Sequence, residues 1–250
     1  ALPSLAGLLA FAATSVARWR ASDSEKKAVR NAFGHYLSPT LVERLSGAPE
    51  QLVLGGEQRT LTLLFSDVRG FTGLSETFKG DPQGLTQLMN RLLTPLTDAI
   101  IARDGTIDKY MGDAIMAFWN APLDIPDHPV RACEAALAMR RALDALNAEL
   151  RAEAAASGRP EAHVAIGIGL NTGECVVGNM GSNVRFDYSA LGDAVNLASR
   201  LEGQTKAYGV NILVGAATEQ HVRGRMALLE VDLVTVKGKS EPERVFALIG

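Results

Sequence analysis

The 250-residue chain has only two cysteines, Cys133 and Cys175, far apart and without His or Cys neighbours at metal-ligand spacing. This excludes a disulfide framework and a zinc site built from cysteine, and it suits a reducing, cytosolic compartment. Excess positive charge is also missing: 25 Lys and Arg stand against 28 Asp and Glu, for a formal net charge of -3. Without a basic face to displace counterions, nonspecific nucleic-acid binding is excluded. A bound polyanion must instead be held by a few placed cations, metals or backbone amides. Internal repeats and low-complexity tracts are absent too, so a solenoid or a disordered chain is not expected.

What is present is ordinary globular composition, with 47% apolar and 21% charged residues. That is enough for one sizeable domain preceded by a leader. Residues 2–17 are almost uncharged and apolar, and Arg18-Trp19-Arg20 follows. This pattern predicts the cytoplasmic end of a membrane helix with its aromatic and basic flank, over residues 1–20. The stretch falls short of the ~20 residues of a full span, which an upstream turn would supply, and a start at Ala1 is expected of a fragment. A buried or signal-like apolar helix is the competing reading. If the membrane reading holds, everything after Arg20 lies in the cytosol, placing the protein at the cell membrane with its catalytic part in the cytoplasm. Between residues 21 and 51, Val29, Phe33, Leu37, Leu41 and Leu45 fall four apart, interrupted by Ser38-Pro39. Two short amphipathic helices joined at Pro39 are expected, acting either as a signalling linker that pairs with a second chain or as a cover for the core.

The remainder, residues 52–250, reads as one α+β domain. Strands are predicted at 60–66, 106–111, 114–119 and 163–169, with helices at 82–103 and 126–155. Gly105 stops the first helix, and Gly112-Asp113 marks a hairpin. The order is βαββαβ, a ferredoxin-like core. A C-terminal αβ extension follows: strands at 174–177 and near 185–189, a glycine-bearing loop at 178–181, a helix over 193–207, and strands at 211–214, 227–236 and 244–249.

This topology gives two aspartates a meaning. In a ferredoxin-like sheet the first and third strands are antiparallel neighbours, so Asp67, after the first, and Asp113, opening the third, converge. Two carboxylates there can hold one or two Mg²⁺ ions against a phosphate chain, although either alone would more simply be a turn or cap residue. The turn that follows, Val68-Arg69-Gly70-Phe71-Thr72, can cradle phosphates on its backbone N–H groups, with Gly70 allowing close approach and Thr72 adding a hydroxyl. On the later helix Asn196 and Arg200 are four apart and share a face with Asp193. An amide and a guanidinium there can fix a ribose and neutralise charge on a phosphorus in transit, or form a solvated face with Arg200 paired to Glu202 or Asp193.

Three blocks then carry a family resemblance: Phe65-Ser66-Asp67-Val68-Arg69-Gly70-Phe71-Thr72, Asp108-Lys109-Tyr110-Met111-Gly112-Asp113, and Leu191-Gly192-Asp193-Ala194-Val195-Asn196-Leu197-Ala198-Ser199-Arg200. In order and spacing they resemble the signature blocks of class III adenylyl and guanylyl cyclases, and the likeness runs over about Leu52 to Gly250. The resemblance implies an adenylate cyclase making 3′,5′-cyclic AMP and pyrophosphate from ATP, with two Mg²⁺ or Mn²⁺ ions per active site. Asp67 and Asp113 match the metal-binding aspartates, and the Val68 backbone supplies a further ligand. Lys109 matches the base-selecting lysine, where guanylyl cyclases usually carry glutamate. Ser189 matches the second base-selecting position, commonly aspartate, and threonine or serine in a bacterial subgroup. Asn196 and Arg200 match the pair that orients the ribose and stabilises the transition state. Lys237 matches the lysine on the terminal phosphates, with Lys239 close enough to compete. The family forms a homodimer with two shared sites, one chain offering the aspartates and its mate Lys109, Ser189, Asn196 and Arg200. The segment Phe33-Gly34-His35-Tyr36-Leu37-Ser38-Pro39 also resembles the linker ahead of bacterial cyclase domains. Competing readings are a guanylate cyclase, against which Lys109 speaks, a diguanylate-forming enzyme, which would need a Gly-Gly-Asp/Glu-Glu-Phe run, and a catalytically silent dimerisation module.

Overall fold

The computed structural model describes residues 56–158, 162–181, 186–234 and 242–250, with Val42 alone ahead of them. Apart from Val42, the expected membrane segment and linker helices lie outside the described residues, as do Lys237 and Lys239. Among the described residues no helix is long and apolar enough to cross a membrane.

The chain runs through β1 (Glu57–Val68), α1 (Phe71–Thr77), α2 (Pro82–Ile101), β2 (Thr106–Met111), β3 (Ala114–Trp119) and α3 (His128–Ser157). It continues through β4 (Ile166–Gly181), β5 (Phe186–Leu191), α4 (Asp193–Gln204), β6 (Ile212–Gly215), α5 (Ala216–Val222), β7 (Leu228–Val234) and β8 (Glu243–Leu248). These eight strands form one sheet in the order β2-β3-β1-β4-β6-β8-β7, with β5 pairing β4 off that path. The first four strands therefore stand as β4-β1-β3-β2, the ferredoxin-like arrangement, and the extension adds β6 parallel to β4.

Both faces of β1 are covered, which explains its nearly unbroken apolar run. Leu64 and Val68 pack with Leu88, Leu92, Leu96 and Ile100 of α2 and with the alanine-rich side of α3. Leu61 and Leu63 face the other way, against Met116, Phe118, Cys175 and Ala198. Gly105 ends the α2 connection because a Cβ there would lie 2.5 Å from Ile100 Cγ2 and 2.8 Å from the Trp119 ring. Both cysteines are free and buried, as a chain without disulfides requires.

Two expectations are corrected. Residues 163–181 do not form two strands and a glycine loop; β4 is a single 16-residue strand. Asn171 and Thr172, which interrupt the apolar pattern, are buried: Asn171 Nδ2 donates to the Ala194 carbonyl at 3.1 Å while its Oδ1 finds no partner among the described residues, and Thr172 Oγ1 lies 2.8 Å from both Thr62 Oγ1 and Thr218 Oγ1. Residues 178–181 continue the strand because they pair with β5, from Gly178 opposite Ser189 to Gly181 opposite Phe186. The short helix α5 was not expected from the sequence, since seven residues carry too little periodicity to announce it.

Candidate active site

The β1–β3 ladder ends at the pair Ser66 and Ile115, and the β2–β3 hairpin closes at Met111 and Ala114. Asp67 lies one residue beyond the first of these pairs, and Asp113 sits in the hairpin turn after Gly112, whose φ of 69° is a conformation only glycine adopts without strain. The carboxylates meet as expected. Burial first, and then the charge and contact of Asp67, push the Asp113 carboxyl above its ordinary value, while its own and the Val68 backbone N–H groups pull the other way. The Val68 N–H also donates to Asp67 Oδ1 at 3.0 Å.

Two like charges held together over hard oxygen donors fit a divalent cation, which would relieve their repulsion. Among the described residues no three His, Cys, Asp or Glu side chains are grouped to hold a metal. An ion would therefore complete its shell from the backbone, water and substrate oxygens. Mg²⁺ commonly binds in this way, through one or two carboxylates plus phosphates.

The turn after Val68 enters α1 through Gly70, which has φ 69° and makes no side-chain cap. The first helical bond runs from the Leu74 N–H to the Gly70 carbonyl, leaving the N–H groups of Phe71 and Thr72 without a helical acceptor, as at any helix start. The Arg69 side chain turns inward instead and donates to the Val210 carbonyl.

Helix α4 lies against β4 with Leu197, Ala198 and Leu201 buried and Asn196 and Arg200 exposed. Glycine in β4 permits the approach: a Cβ at Gly169 would lie 2.2 Å from the Ala198 carbonyl oxygen, and one at Gly167 would lie 2.6 Å from Glu202 Oε1. Glu202 is thus turned toward the aspartates. Burial and the Asp67 charge, with a smaller contribution from Asp113, push its carboxyl up to about 7 against the opposing Arg69 guanidinium. The sequence offered Glu202 only as a partner for Arg200; its orientation depends on the glycines facing it, which no local pattern reveals.

Lys109 and Ser189 form a second group. The β2–β3 register shifts between Ile107 and Lys109, a bulge that leaves Asp108 outside the ladder, and bulges often re-aim side chains beside active sites. Among the described residues strand β5 pairs with β4 alone, yet it reaches back across the sheet, with the Tyr188 and Phe118 ring centroids 6.0 Å apart. Ser189 Oγ donates to Asp108 Oδ2 at 2.6 Å, and Lys109 Nζ lies 3.2 Å from Asp108 Oδ1. Asp108 is 2% exposed, and among the described residues its Oδ1 has the Lys109 ion pair but no hydrogen-bond partner. Burial raises the Asp108 carboxyl, opposed by the Ser189 hydrogen bond and the Lys109 charge. Asp108 was not among the expected site residues. A carboxylate amid the apolar start of a strand was the signal available.

The structure thus brings Asp67, Val68 and Asp113 together next to Gly70, Phe71 and Thr72, and brings Lys109 to Ser189. Asn196 and Arg200 stand on the outer face of α4.

Comparison with known proteins gives consistent findings. The family model described as the adenylate and guanylate cyclase catalytic domain matches residues 56–250. Adenylate cyclase 1 of Rhizobium meliloti is 34% identical over 193 residues, 77% of this chain and 28% of that protein. An adenylate cyclase of Anabaena cylindrica is 36% identical over 230 residues, 90% of this chain and 42% of its own length. The chain therefore spans less than half of these relatives. Among solved structures, the adenylyl cyclase CyaB from P. aeruginosa superposes with a TM-score of 0.70 at 34% identity, over 79% of this chain and 97% of that one. The guanylyl cyclase Cya2 superposes with a TM-score of 0.66 at 32% identity, over 78% and 94%.

Proposed function

Since the chain belongs to the family of adenylate and guanylate cyclase catalytic domains, we propose that it converts ATP to 3′,5′-cyclic AMP and pyrophosphate in sites shared between two copies. The observation that carries this reading is the meeting of Asp67 and Asp113 beside an open turn of backbone N–H groups. Two Mg²⁺ or Mn²⁺ ions on Asp67, Asp113 and the Val68 carbonyl would supply charge neutralisation at the phosphates and a more acidic ribose 3′-hydroxyl.

The protein's own groups do the rest. The N–H groups from Gly70 to Thr72 receive phosphate oxygens, and Lys237, or Lys239 next to it, steadies the terminal phosphates. Asn196 orients the ribose so that its 3′-oxygen stands in line with the α-phosphorus. As the 3′-hydroxyl gives up its proton to solvent, its oxygen bonds to the α-phosphorus and the bond to pyrophosphate breaks, while the Arg200 guanidinium offsets the negative charge on the phosphoryl oxygens. Removing one such donor typically costs about 10²–10³ in rate.

ATP rather than GTP is favoured by Lys109, whose ammonium can only donate and suits the N1 acceptor of adenine. The family likeness alone does not choose, because adenylyl and guanylyl relatives match about equally well. Sharing of the site is supported by the outward face of Asn196 and Arg200 and by exposed apolar side chains near the base group. Tyr110 and Met111 follow Lys109 on β2, and Val176 and Leu191 stand opposite each other on β4 and β5. Such a patch suits a second copy of the chain. The apolar segment at residues 1–20 would anchor the assembly to the cell membrane with this domain in the cytoplasm.

The test is a product assay. Purified protein is incubated with ATP or GTP and Mg²⁺ or Mn²⁺, and cyclic AMP is the expected product, lost in Asp67→Ala. Folded dimer that forms no cyclic nucleotide would be the silent module instead, and preferential cyclic GMP would make it a guanylate cyclase.

A further inference from the structure

A serine hydroxyl can donate one hydrogen bond and accept two, so Ser189 alone cannot distinguish a base edge that donates from one that accepts. The structure removes this ambiguity. Ser189 Oγ donates to Asp108 Oδ2 at 2.6 Å, and the same carboxylate lies 3.2 Å from the Lys109 ammonium. An ammonium beside Oδ1 favours the ionised, accepting carboxylate against the burial that disfavours it, and an ionised carboxylate cannot return a proton to the serine. The bulge in β2 delivers Asp108 to this place, and burial at 2% exposure keeps water from competing for the serine proton.

We propose that Asp108 is the specificity-determining positioning residue of the base site: by taking the Ser189 proton it leaves that hydroxyl only lone pairs to offer the nucleotide. Asp108 touches no substrate; it acts through Ser189. Adenine presents an N6 amino donor and an N1 acceptor, which meet a lone pair on Ser189 and an N–H of Lys109. Guanine presents an O6 acceptor and an N1–H donor at the corresponding positions, so both contacts become repulsive. A site built around specific donors and acceptors rejects the mismatched base far more strongly than one shaped by apolar contact. The inference rests on the proposal that this chain cyclises ATP with Lys109 and Ser189 at the base.

The experiment measures cyclic AMP and cyclic GMP formation by the full chain and by Asp108→Asn, Ser189→Ala and the double variant. Asparagine keeps the shape of Asp108 but can donate its amide to Ser189, releasing the hydroxyl to donate outward. The ATP-over-GTP ratio of kcat/KM is expected to fall about tenfold or more in Asp108→Asn, the worth of one hydrogen bond reversed. The double variant should match Ser189→Ala alone. Equal losses for ATP and GTP in Asp108→Asn, or an undiminished effect of that change in the Ser189→Ala background, would overturn the inference and leave Asp108 a strut. Should Asp108→Asn fail to fold by its thermal melt, the unaltered protein is assayed with inosine triphosphate, which has O6 and N1–H in the guanine pattern. Rejection of that nucleotide by about tenfold or more relative to ATP supports the inference, and comparable use refutes it. Failure of the underlying reading looks different: the unaltered protein then makes no cyclic AMP, whatever the variants do.

Discussion

Asp67 stands directly opposite Gly167 in the β1–β4 ladder, and the missing side chain at Gly167 is what admits Glu202 to the neighbourhood of that aspartate. Candidate metal ligands on β1 and the helix carrying Asn196 and Arg200 are therefore registered against each other through glycines of β4. A Cβ at Gly167 would lie 2.4 Å from Thr205 Oγ1 and 2.6 Å from Glu202 Oε1, both side-chain atoms that can turn away, the first by giving up its bond to the Glu202 carbonyl, whereas one at Gly169 would lie 2.3 Å from the Glu202 backbone nitrogen, which moves only with the helix.

Gly169→Ala is accordingly expected to be the more damaging of the two, costing about 1–3 kcal/mol of stability by overpacking and displacing α4 as a whole. Gly167→Ala should cost less stability yet still lower activity. Denaturant melts together with turnover measurements check both, and equal effects at the two positions would contradict the role given to the α4 backbone.

Asp113→Asn removes one of two repelling charges. Without metal the variant should melt at the same temperature as the unaltered protein or slightly above it. Added Mn²⁺ should raise the melting temperature of the unaltered protein, since a ligand at 100 times its Kd contributes about 2.7 kcal/mol, and should do little for the variant. Turnover should drop by about 10²–10³. Thermal shift with and without Mn²⁺ separates loss of ion binding from loss of fold.

Mixing tests the shared site. Asp67→Ala and Asn196→Ala proteins, each inactive alone, should regain partial activity once subunits exchange, because one of the two sites in a mixed dimer has both its aspartates and its Asn196 intact. Proven exchange without recovery would place the whole site within one chain.

His128 sets an acid limit on stability. Its Nδ1 lies 2.8 Å from Thr62 Oγ1, at the end of a buried hydroxyl chain through Thr172 and Thr218. Burial, reinforced by the charge of His221 and opposed by Asp127, lowers its pKa from 6.5 to about 4. Between these values the unfolded chain binds the extra proton and the native one does not, so stability is complete above pH ~6.5 and falls as the pH drops toward ~4, by about 3 kcal/mol at most. Urea melts from pH 7 to pH 4 should show this slope, and His128→Gln should flatten it.

Much of the candidate site's arrangement was legible in the sequence because it depends on local signals. Gly112-Asp113 between two apolar runs marks a hairpin, and once the βαββαβ order is read, the meeting of Asp67 and Asp113 follows from topology. Asn196 and Arg200 share a face through helical spacing alone. What escaped depends on distant partners. The glycines of β4 look like loop residues until α4 and β5 are laid against them. The bulge at Asp108 is a register shift that only the opposing strand defines. Glu202 acquires its orientation from an empty space on another element.

The β2–β3 hairpin carries Asp108 and Lys109 in the middle of its first strand and Asp113 at its tip. In the proposed two-fold assembly each hairpin would have its tip at one nucleotide pocket and Lys109 at the other. Binding at one pocket would then be felt at the other through a ribbon belonging to both, which would give the proposed assembly a mechanical basis for homotropic cooperativity.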